Sequence, residues 1–476
     1  MAKRELWQKK FSEWFSGILR SADIMETRYP VKGLYVWLPH GLQLRNHVLA
    51  IIRRFLEQAE HREVLFPLLI PENLFKKEAE HIRGFENEVY WVTHGGRDKL
   101  DVKLALRPTS ETSIYPMFAL WIRSHADLPI KIYQVVNIFR YETKMTKPMI
   151  RLREVTTFKE AHTAHVKREE AEAQVQEAVQ IYKRFFDELG VPYVVTKRPP
   201  WDTFAGAEYS LAFDTLAPDG RTLQVGTVHN LGQNFAKVYD LKYETPSGKH
   251  HHVYQTCYGI SERVIAAVVM AHGDDIGLCL PPNIAPIQVV IVPIPYKAKE
   301  APVGQIATVI KNELAAAGLR VHVDERDLRP GNKFYYWERR GVPLRLEIGP
   351  EDVKKNQVTA VRRDTGEKQA IAREVLETKV KQLLGRITSD LNDRAWKLFH
   401  ESVKSASDMG TVKRMMEKRG GIARVPWCGE EACGKALEEQ TDGDLLGEEF
   451  DGTIPTEVCP ICSKKAKANV LIARTY

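Results

Sequence analysis

Between Ile130 and Thr256 the sequence offers one strand candidate after another with a single obvious helix among them, and at Leu280-Pro-Pro-Asn-Ile-Ala-Pro286 that style stops. The candidates are Ile130 to Tyr141, Arg151 to Lys159, Leu211 to Phe213, Leu223 to His229, Val238 to Glu244 and His251 to Thr256. Strands that succeed one another with few crossover helices pair as antiparallel neighbours, so a mainly antiparallel sheet is expected. The helix, Glu169 to Leu189, is closed by Gly190 with Pro192 just beyond. After the proline-rich break the order alternates. Strand Ile287 to Ile294, helix Ala301 to Ala317, strand Arg320 to Asp324, helix Lys333 to Arg340 and strand Leu344 to Ile348 predict a compact open α/β domain. A hairpin, Val358 to Arg362 with Gln369 to Ala372, leads into a helix from Glu374. Near the start, Leu44, Val48, Ile51, Phe55 and Ala59 make one apolar helix face, and Val64 to Pro71 reads as a strand closed by prolines.

The expected fold is therefore α+β and multidomain, divided at residues 1–282, 283–387 and 388–476. A chain of 476 residues has length for about three cores. Its longest apolar run, Val264 to Ala271, falls far short of the ~20 residues a membrane span needs. The first fifteen residues mix Lys3, Arg4, Lys9 and Lys10 with Glu5 and Glu13 and hold no apolar core, so a cytoplasmic chain with no membrane partner is expected. A net charge of +7 permits a polyanionic partner without demanding one.

Four of the six cysteines fall in the last 49 residues as Cys428-(x4)-Cys433 and Cys459-(x2)-Cys462. Two tight thiolate pairs suit a tetrahedral Zn²⁺, and a closed shell of four cysteines is structural rather than catalytic. From Glu430 to Glu457 there are ten acids and one lysine, which makes that lobe a poor site for RNA phosphates. Cys257 and Cys279 read as packing residues. The end of the chain, Ala473 to Tyr476, is expected to dock back on the first domain.

Phe139-Arg-Tyr-Glu142, a basic loop, and Arg151 to His162 carry the densest chemistry. Between Tyr141 and Arg153 four basic residues (Lys144, Lys147, Arg151, Arg153) face one acid, Glu142. Two strands joined by a cationic loop make a phosphate clamp, because arginine offers a planar fork; a plain hairpin with a solvated tip fits the same residues. Tyr258-Gly-Ile-Ser-Glu-Arg263 then places an arginine at the mouth of an apolar helix, where a second phosphate contact and a surface arginine are equally compatible. A metallohydrolase using Glu160, His162 and His165 lacks the His-Glu-x-x-His spacing.

Taken together, the early helix and strand, Phe139 to His162, and Gly259 to Met270 resemble the three signature motifs of class II aminoacyl-tRNA synthetases. Arg107-Pro-Thr-Ser-Glu111, Phe158-Lys-Glu-Ala-His162, Thr203-Phe-Ala-Gly-Ala207, Gly226 to Phe235, Val323-Asp-Glu-Arg326, Gly331 to Glu338 and Gly341-Val-Pro-Leu-Arg345 are similar to prolyl-tRNA synthetases of the archaeal and eukaryotic type. That resemblance implies a class II catalytic domain on an antiparallel sheet, an α/β anticodon-binding domain and a C-terminal zinc-binding α/β domain. It implies ATP, Mg²⁺ and structural Zn²⁺ held by Cys428, Cys433, Cys459 and Cys462, with L-proline, the acceptor stem and anticodon of tRNA(Pro), and a second copy of the chain as partners. Thr109 and Glu111 would hold the imino nitrogen of proline, Phe158, Glu160, His162 and Phe204 would shape the ring pocket, and His229 would lie below it. Plain core packing accounts for Phe158 and Phe204 as well, and an interior hydrogen bond for His229. Arg140 would contact the α-phosphate and carboxylate, Glu142 the adenine amine, and Arg263 the far phosphates. Arg151, Leu152, Gln224, Thr227 and Ser261 would complete the ATP contacts. Lys144 and Lys147 would touch the acceptor stem, and Phe334, Glu338 and Arg345 the anticodon, although Glu338 is equally a solvated helix charge. Two positions depart from the pattern: Val155 stands where many class II enzymes stack a phenylalanine on adenine, and Phe158 where some prolyl enzymes carry tryptophan. Only about a hundred residues separate Glu160 from Ser261, so the editing insertion of bacterial members is not expected, and cysteine or alanine could be misactivated.

Overall fold

A computed structural model describes residues 3–77, 87–294, 303–418 and 420–476. Its centre is a sheet of eleven strands. The strands that build the site are β1 (Ile130–Phe139), β2 (Glu154–His165), β3 (Val194–Lys197), β4 (Tyr209–Leu216), β5 (Thr222–Gly232) and β6 (Tyr254–Ile260). They lie in the order β3-β4-β5-β6-β2-β1, every pair antiparallel, as the run of consecutive strands predicts. Arg62–Glu63 adds a parallel edge beside β1.

Four helices matter for the site: α1 (Pro39–Gln58), α2 (Glu111–Trp121), α3 (Arg168–Leu189) and α4 (Arg263–His272). Their apolar residues explain where each lies. Val175, Ala178, Val179, Tyr182, Phe185 and Phe186 give α3 one buried stripe, which joins Val48, Ile52 and Leu56 of α1 and Val264 to Met270 of α4 in the main core. α4 is apolar almost all round and buried accordingly. α2 belongs to a second core, with Ile114, Tyr115 and Phe118 packed beside Phe235 and Tyr239.

Three expectations need correction. Val64 to Pro71 is not one strand: only Leu69–Pro71 is extended into a ladder, paired with Asp98–Leu106, because Pro67 interrupts the donors before it. Val238 to Glu244 divides into the end of a short helix, Asn234–Val238, and a strand, Lys242–Glu244, paired with His250–His252. The segment His251 to Thr256 accordingly belongs to two strands, one in this ribbon and one in β6.

Beyond the break, Val289–Pro293, Val321–Val323 and Leu344–Ile348 form the parallel part of a five-stranded sheet, extended antiparallel by Gln357–Arg362 and Lys368–Ala372. The helix expected over Ala301 to Ala317 is Val303–Ala316, its first two expected residues lying outside the described ones. The helix from Leu376 then continues to Ser402, across position 388. Beyond it, Val403–Ser405, Ile422–Trp427, Ala468–Ala473 and Asp444–Glu449 join the eleven-stranded sheet, the last pairing with β3. The chain end docks on the first domain: the Tyr476 N–H donates to Thr222, and its hydroxyl donates to Asp219 at 2.5 Å.

Candidate active site

Strand alternation sends every second side chain of β2 to one face of the sheet, so Phe158, Glu160 and His162 emerge together. The antiparallel register sets partners beside them. One row across the sheet reads Ser210, His229, Cys257, His162, and the next reads Ala212, Thr227, Gly259, Glu160, Gln134. Gly259 leaves the middle of that second row open, and a Cβ there would lie 3.6 Å from the Phe158 ring, in ordinary contact.

This face is the floor of a cavity of about 440 Å³. Thr109, Glu111, Arg140, Glu142, Arg151, Leu152, Phe158, Glu160, His162, Phe204, Gln224, Thr227, His229, Ser261 and Arg263 all line it. Every residue expected to contact amino acid or nucleotide is therefore brought to one place, from the strands β2 and β5, the starts of α2 and α4, the loop after β1 and the loops that hold Thr109, Phe204 and Ser261.

The cavity has two chemically different ends. At one, Thr109 donates its hydroxyl to Glu111, which is 3 % exposed and sits at the start of α2. Glu160 is fixed on both oxygens. Oε1 accepts from the Ser110 hydroxyl and from Gln134 Nε2 at 2.8 Å, and Oε2 faces His162 Nε2 at 3.2 Å. The Tyr115 hydroxyl lies 3.0 Å from His162 Nδ1, and burial pushes that phenol well above its usual pKa, so it serves as the donor. Both nitrogens of His162 are thus engaged within the protein. Phe204 lies over His229 with ring centroids 4.6 Å apart, and Ser210 Oγ holds His229 Nδ1 at 2.7 Å. A carboxylate, a hydroxyl and aromatic walls in a dry recess suit a small ammonium-bearing ligand with an apolar body.

The other end is cationic. Arg140 Nε donates to the Pro108 carbonyl at 3.0 Å, and Arg263 Nε to the Ile150 carbonyl at 2.9 Å. A backbone acceptor orients each of the two forks. Burial, then the like charges of Arg140 and Arg151, draw the Arg263 guanidinium down to about 10, still cationic at neutral pH. Such a cluster suits a polyphosphate.

Sequence reasoning missed Ser110, Tyr115, Gln134, Ser210 and Arg198. Gln134 was legible as an amide inside the largely apolar run of β1, where burial demands a partner. Cys257, expected only to pack, forms cavity wall with its Sγ 3.9 Å from Glu111 Oε1. Val155 also lines the cavity.

Family models match three stretches: the tRNA synthetase class II core domain (G, H, P, S and T) over residues 90–272, an anticodon-binding domain over 288–383, and a prolyl-tRNA synthetase C-terminal domain over 409–476. The proline--tRNA ligase of Methanothermobacter thermautotrophicus is 54% identical, covering 97% of this chain and 95% of its own. The chain belongs to the prolyl-tRNA synthetase family. The Methanopyrus kandleri proline--tRNA ligase is 55% identical over 98% of this chain and 96% of its own. Among solved structures, Giardia lamblia prolyl-tRNA synthetase in complex with prolyl-adenylate superposes with a TM-score of 0.94 at 37% identity, covering 100% of this chain and 99% of that one. The Cryptosporidium parvum enzyme complexed with halofuginone and AMPPNP also reaches 0.94, at 33% identity and coverage of 99% and 98%.

The remaining predicted residues of this family member lie elsewhere. Lys144 is exposed on the loop between β1 and β2. Lys147 is half-buried, its ammonium 2.8 Å from Ser12 Oγ and 4.4 Å from the Tyr476 ring centroid. In the anticodon-binding domain, Arg345 stacks 4.0 Å from the Phe334 centroid and pairs with Glu338 at 2.6 Å and Glu347 at 2.9 Å. In the C-terminal domain the Sγ atoms of Cys428, Cys433, Cys459 and Cys462 lie within 4.8 Å of one another. Cys428 and Cys462 are 3.6 Å apart, too far for a disulfide and close to the ~3.8 Å edge of a tetrahedron with ~2.3 Å Zn–S bonds. The donor set fits a metal ion.

Proposed function

We propose that this chain is a proline--tRNA ligase: it activates L-proline with ATP to prolyl-adenylate and pyrophosphate, then transfers the prolyl group to the 3′ end of tRNA(Pro). The observation that carries this reading is the single cavity with a carboxylate-and-aromatic end joined to a guanidinium-lined end. The names of the relatives and the prolyl-adenylate in the Giardia lamblia structure support it.

Thr109 and Glu111 take the secondary ammonium of proline. Phe158, Phe204 and His162 enclose the ring, Glu160 fixing His162 from behind, and His229 closes the base. Arg140 bridges the proline carboxylate and the α-phosphate. Arg263 draws the β- and γ-phosphates back over the sheet, while Glu142 reads the adenine amine and Arg151, Leu152, Gln224, Thr227 and Ser261 hold the nucleotide. The carboxylate oxygen attacks the α-phosphorus in line and pyrophosphate leaves. The attacker is already an anion, so no general base is required, and the rate comes from positioning and charge neutralisation. Mg²⁺ brought in with ATP would supply further charge neutralisation.

Lys144 reaches the acceptor stem, with Lys147 anchoring the base of its loop. Phe334, Glu338 and Arg345 form the anticodon-facing cluster. The four cysteines hold a structural Zn²⁺. A second copy of the chain would cover exposed apolar side chains such as Leu65, 79% exposed, and Leu120, 63%. The reading places the chain where translation runs, in the cytoplasm. A pocket sized for proline admits alanine and cysteine, since one missing methylene yields only ~1–3 kcal/mol of discrimination.

The test is amino-acid-dependent ATP–pyrophosphate exchange with proline, cysteine, alanine, threonine, glycine and histidine. Exchange with proline far above the rest is expected, and none with any of them would refute the reading.

A further inference from the structure

The wall that Thr203 and Phe204 present to the cavity is the near side of a loop whose far side belongs to the C-terminal lobe. The loop leaves β3 at Lys197, passes Arg198 and Pro199, makes a tight turn over Pro200–Asp202, and reaches Phe204. On the cavity side the Phe204 N–H donates to Ser210 Oγ at 3.1 Å, the same hydroxyl that holds His229. On the far side Trp201 packs into the core that contains Cys428, Cys433 and Leu437.

That far contact is tight and specific. Gly434 directly follows Cys433, and a Cβ there would lie 2.5 Å from the Trp201 indole, so the helix Glu431–Thr441 can seat the ring only because this residue has no side chain. Gly447, at φ +121°, lets the next strand approach β3 so closely that a Cβ would lie 2.1 Å from the Lys197 carbonyl oxygen. The Leu446 carbonyl then accepts from Arg198 Nη1 at 2.8 Å and from Thr196 Oγ1 at 2.7 Å, while Arg198 Nη2 pairs with buried Asp214 at 2.9 Å. The lobe therefore grips the loop from β3 through to Trp201, and Arg198, Asp202, Thr203 and Phe204 of the same loop line the cavity.

We infer that Trp201 is a positioning residue for amino-acid recognition, through which the four-cysteine lobe sets the place of the Thr203–Phe204 wall. This rests on the reading that the cavity takes proline. The nucleotide end hangs on other elements, Arg140 on β1's exit, Gln224 on β5 and Arg263 on α4. Loosening Trp201 therefore moves the two substrates' constants apart. A protein-wide loss of order would move them together.

The experiment measures KM for proline and for ATP by pyrophosphate exchange in the wild type, Trp201→Ala, Trp201→Phe and Gly434→Ala, with bound metal per chain and the thermal midpoint recorded for each. Trp201→Ala should raise the proline KM about tenfold, inside the ~10²-fold that a 1 Å misplacement can cost, and leave the ATP KM within about twofold. Trp201→Phe should recover most of the difference, and metal content should stay at the wild-type level. Gly434→Ala, which displaces the indole without deleting it, should shift the proline KM the same way and serves if Trp201→Ala folds poorly. An unchanged proline KM, equal rises in both constants, or a phenylalanine variant no better than alanine would overturn the inference while the proline reading stood. No proline-dependent exchange in the wild type would overturn both.

Discussion

Arg263 lines the active-site cavity and Arg363 sits where the catalytic and anticodon-binding domains meet, and their surroundings are opposite in kind. Arg363 meets Asp274 through two bonds of 2.7 Å each and donates Nε to the Glu338 carbonyl at 2.7 Å. Arg362 beside it is paired with Asp364 and Asp390, and Arg345 with Glu338 and Glu347. Among the described residues no carboxylate lies within ion-pair distance of Arg263, and its strongest charged neighbours are Arg140 and Arg151. One region neutralises its arginines with carboxylates, Arg363 doing so across the domain boundary. Arg263 sits among like charges at a structural disadvantage, while Arg151 beside it pairs with Glu142 at 3.9 Å, which makes sense where a polyanionic ligand supplies the charge that Arg263 lacks.

The four-cysteine cluster takes that contrast furthest, because four thiols this close give up their protons together only when a cation takes up the charge. On the proposal that these cysteines hold Zn²⁺, chelation or Cys433→Ser should open the C-terminal lobe, given apparent binding energies of ~10–16 kcal/mol for structural zinc in small domains. Hydrogen exchange over Ile422–Trp427 and Ala468–Ala473 would report this, and unaltered protection would break the comparison. Arg363→Ala should come next. It leaves Asp274 charged and buried, at a cost of about 3–5 kcal/mol in denaturant unfolding, with exchange chemistry per folded molecule retained.

Glu262 sharpens the comparison at smaller scale, because the carboxyl next to Arg263 in sequence does not neutralise it. It accepts from the Thr156 N–H at 2.7 Å, and burial raises its pKa to about 7 from the usual 4.5. The folded state thus holds a proton that the unfolded chain releases, so the stabilisation is complete below pH ~4.5 and is lost as pH rises towards 7. Glu262→Gln should therefore unfold at higher denaturant than the wild type at pH 8, with the gap closing at pH 5. A gap independent of pH would show that no titration is involved.

Much of this was legible in the sequence, for reasons that differ by element. The strands of the central sheet follow from alternation and short connections, and Arg168–Leu189 from its stripe and terminal glycine. The site residues came from motif resemblance, since Phe158, Glu160 and His162 share a face only once β2 is known to be a strand. What remained hidden depends on register and distant contacts. Ser210 meets His229 through the pairing of β4 with β5, Tyr115 reaches His162 across two elements, and the merger of the last lobe's strands with β3 rests on Gly447 and Leu446, which no local pattern announces. The expected strand over Val64 to Pro71 failed because apolar composition alone does not register how a proline interrupts a ladder.

The most direct measurement is Arg263→Ala, assayed for proline-dependent ATP–pyrophosphate exchange and for unfolding in the same preparation. Loss of one preorganised contact of this kind predicts a rate lower by about 10²–10³, with unfolding unchanged or shifted to higher denaturant because a repelled, desolvated charge is gone. A variant that unfolds earlier yet exchanges at the wild-type rate per folded molecule would contradict the account, placing Arg263 with the structural arginines.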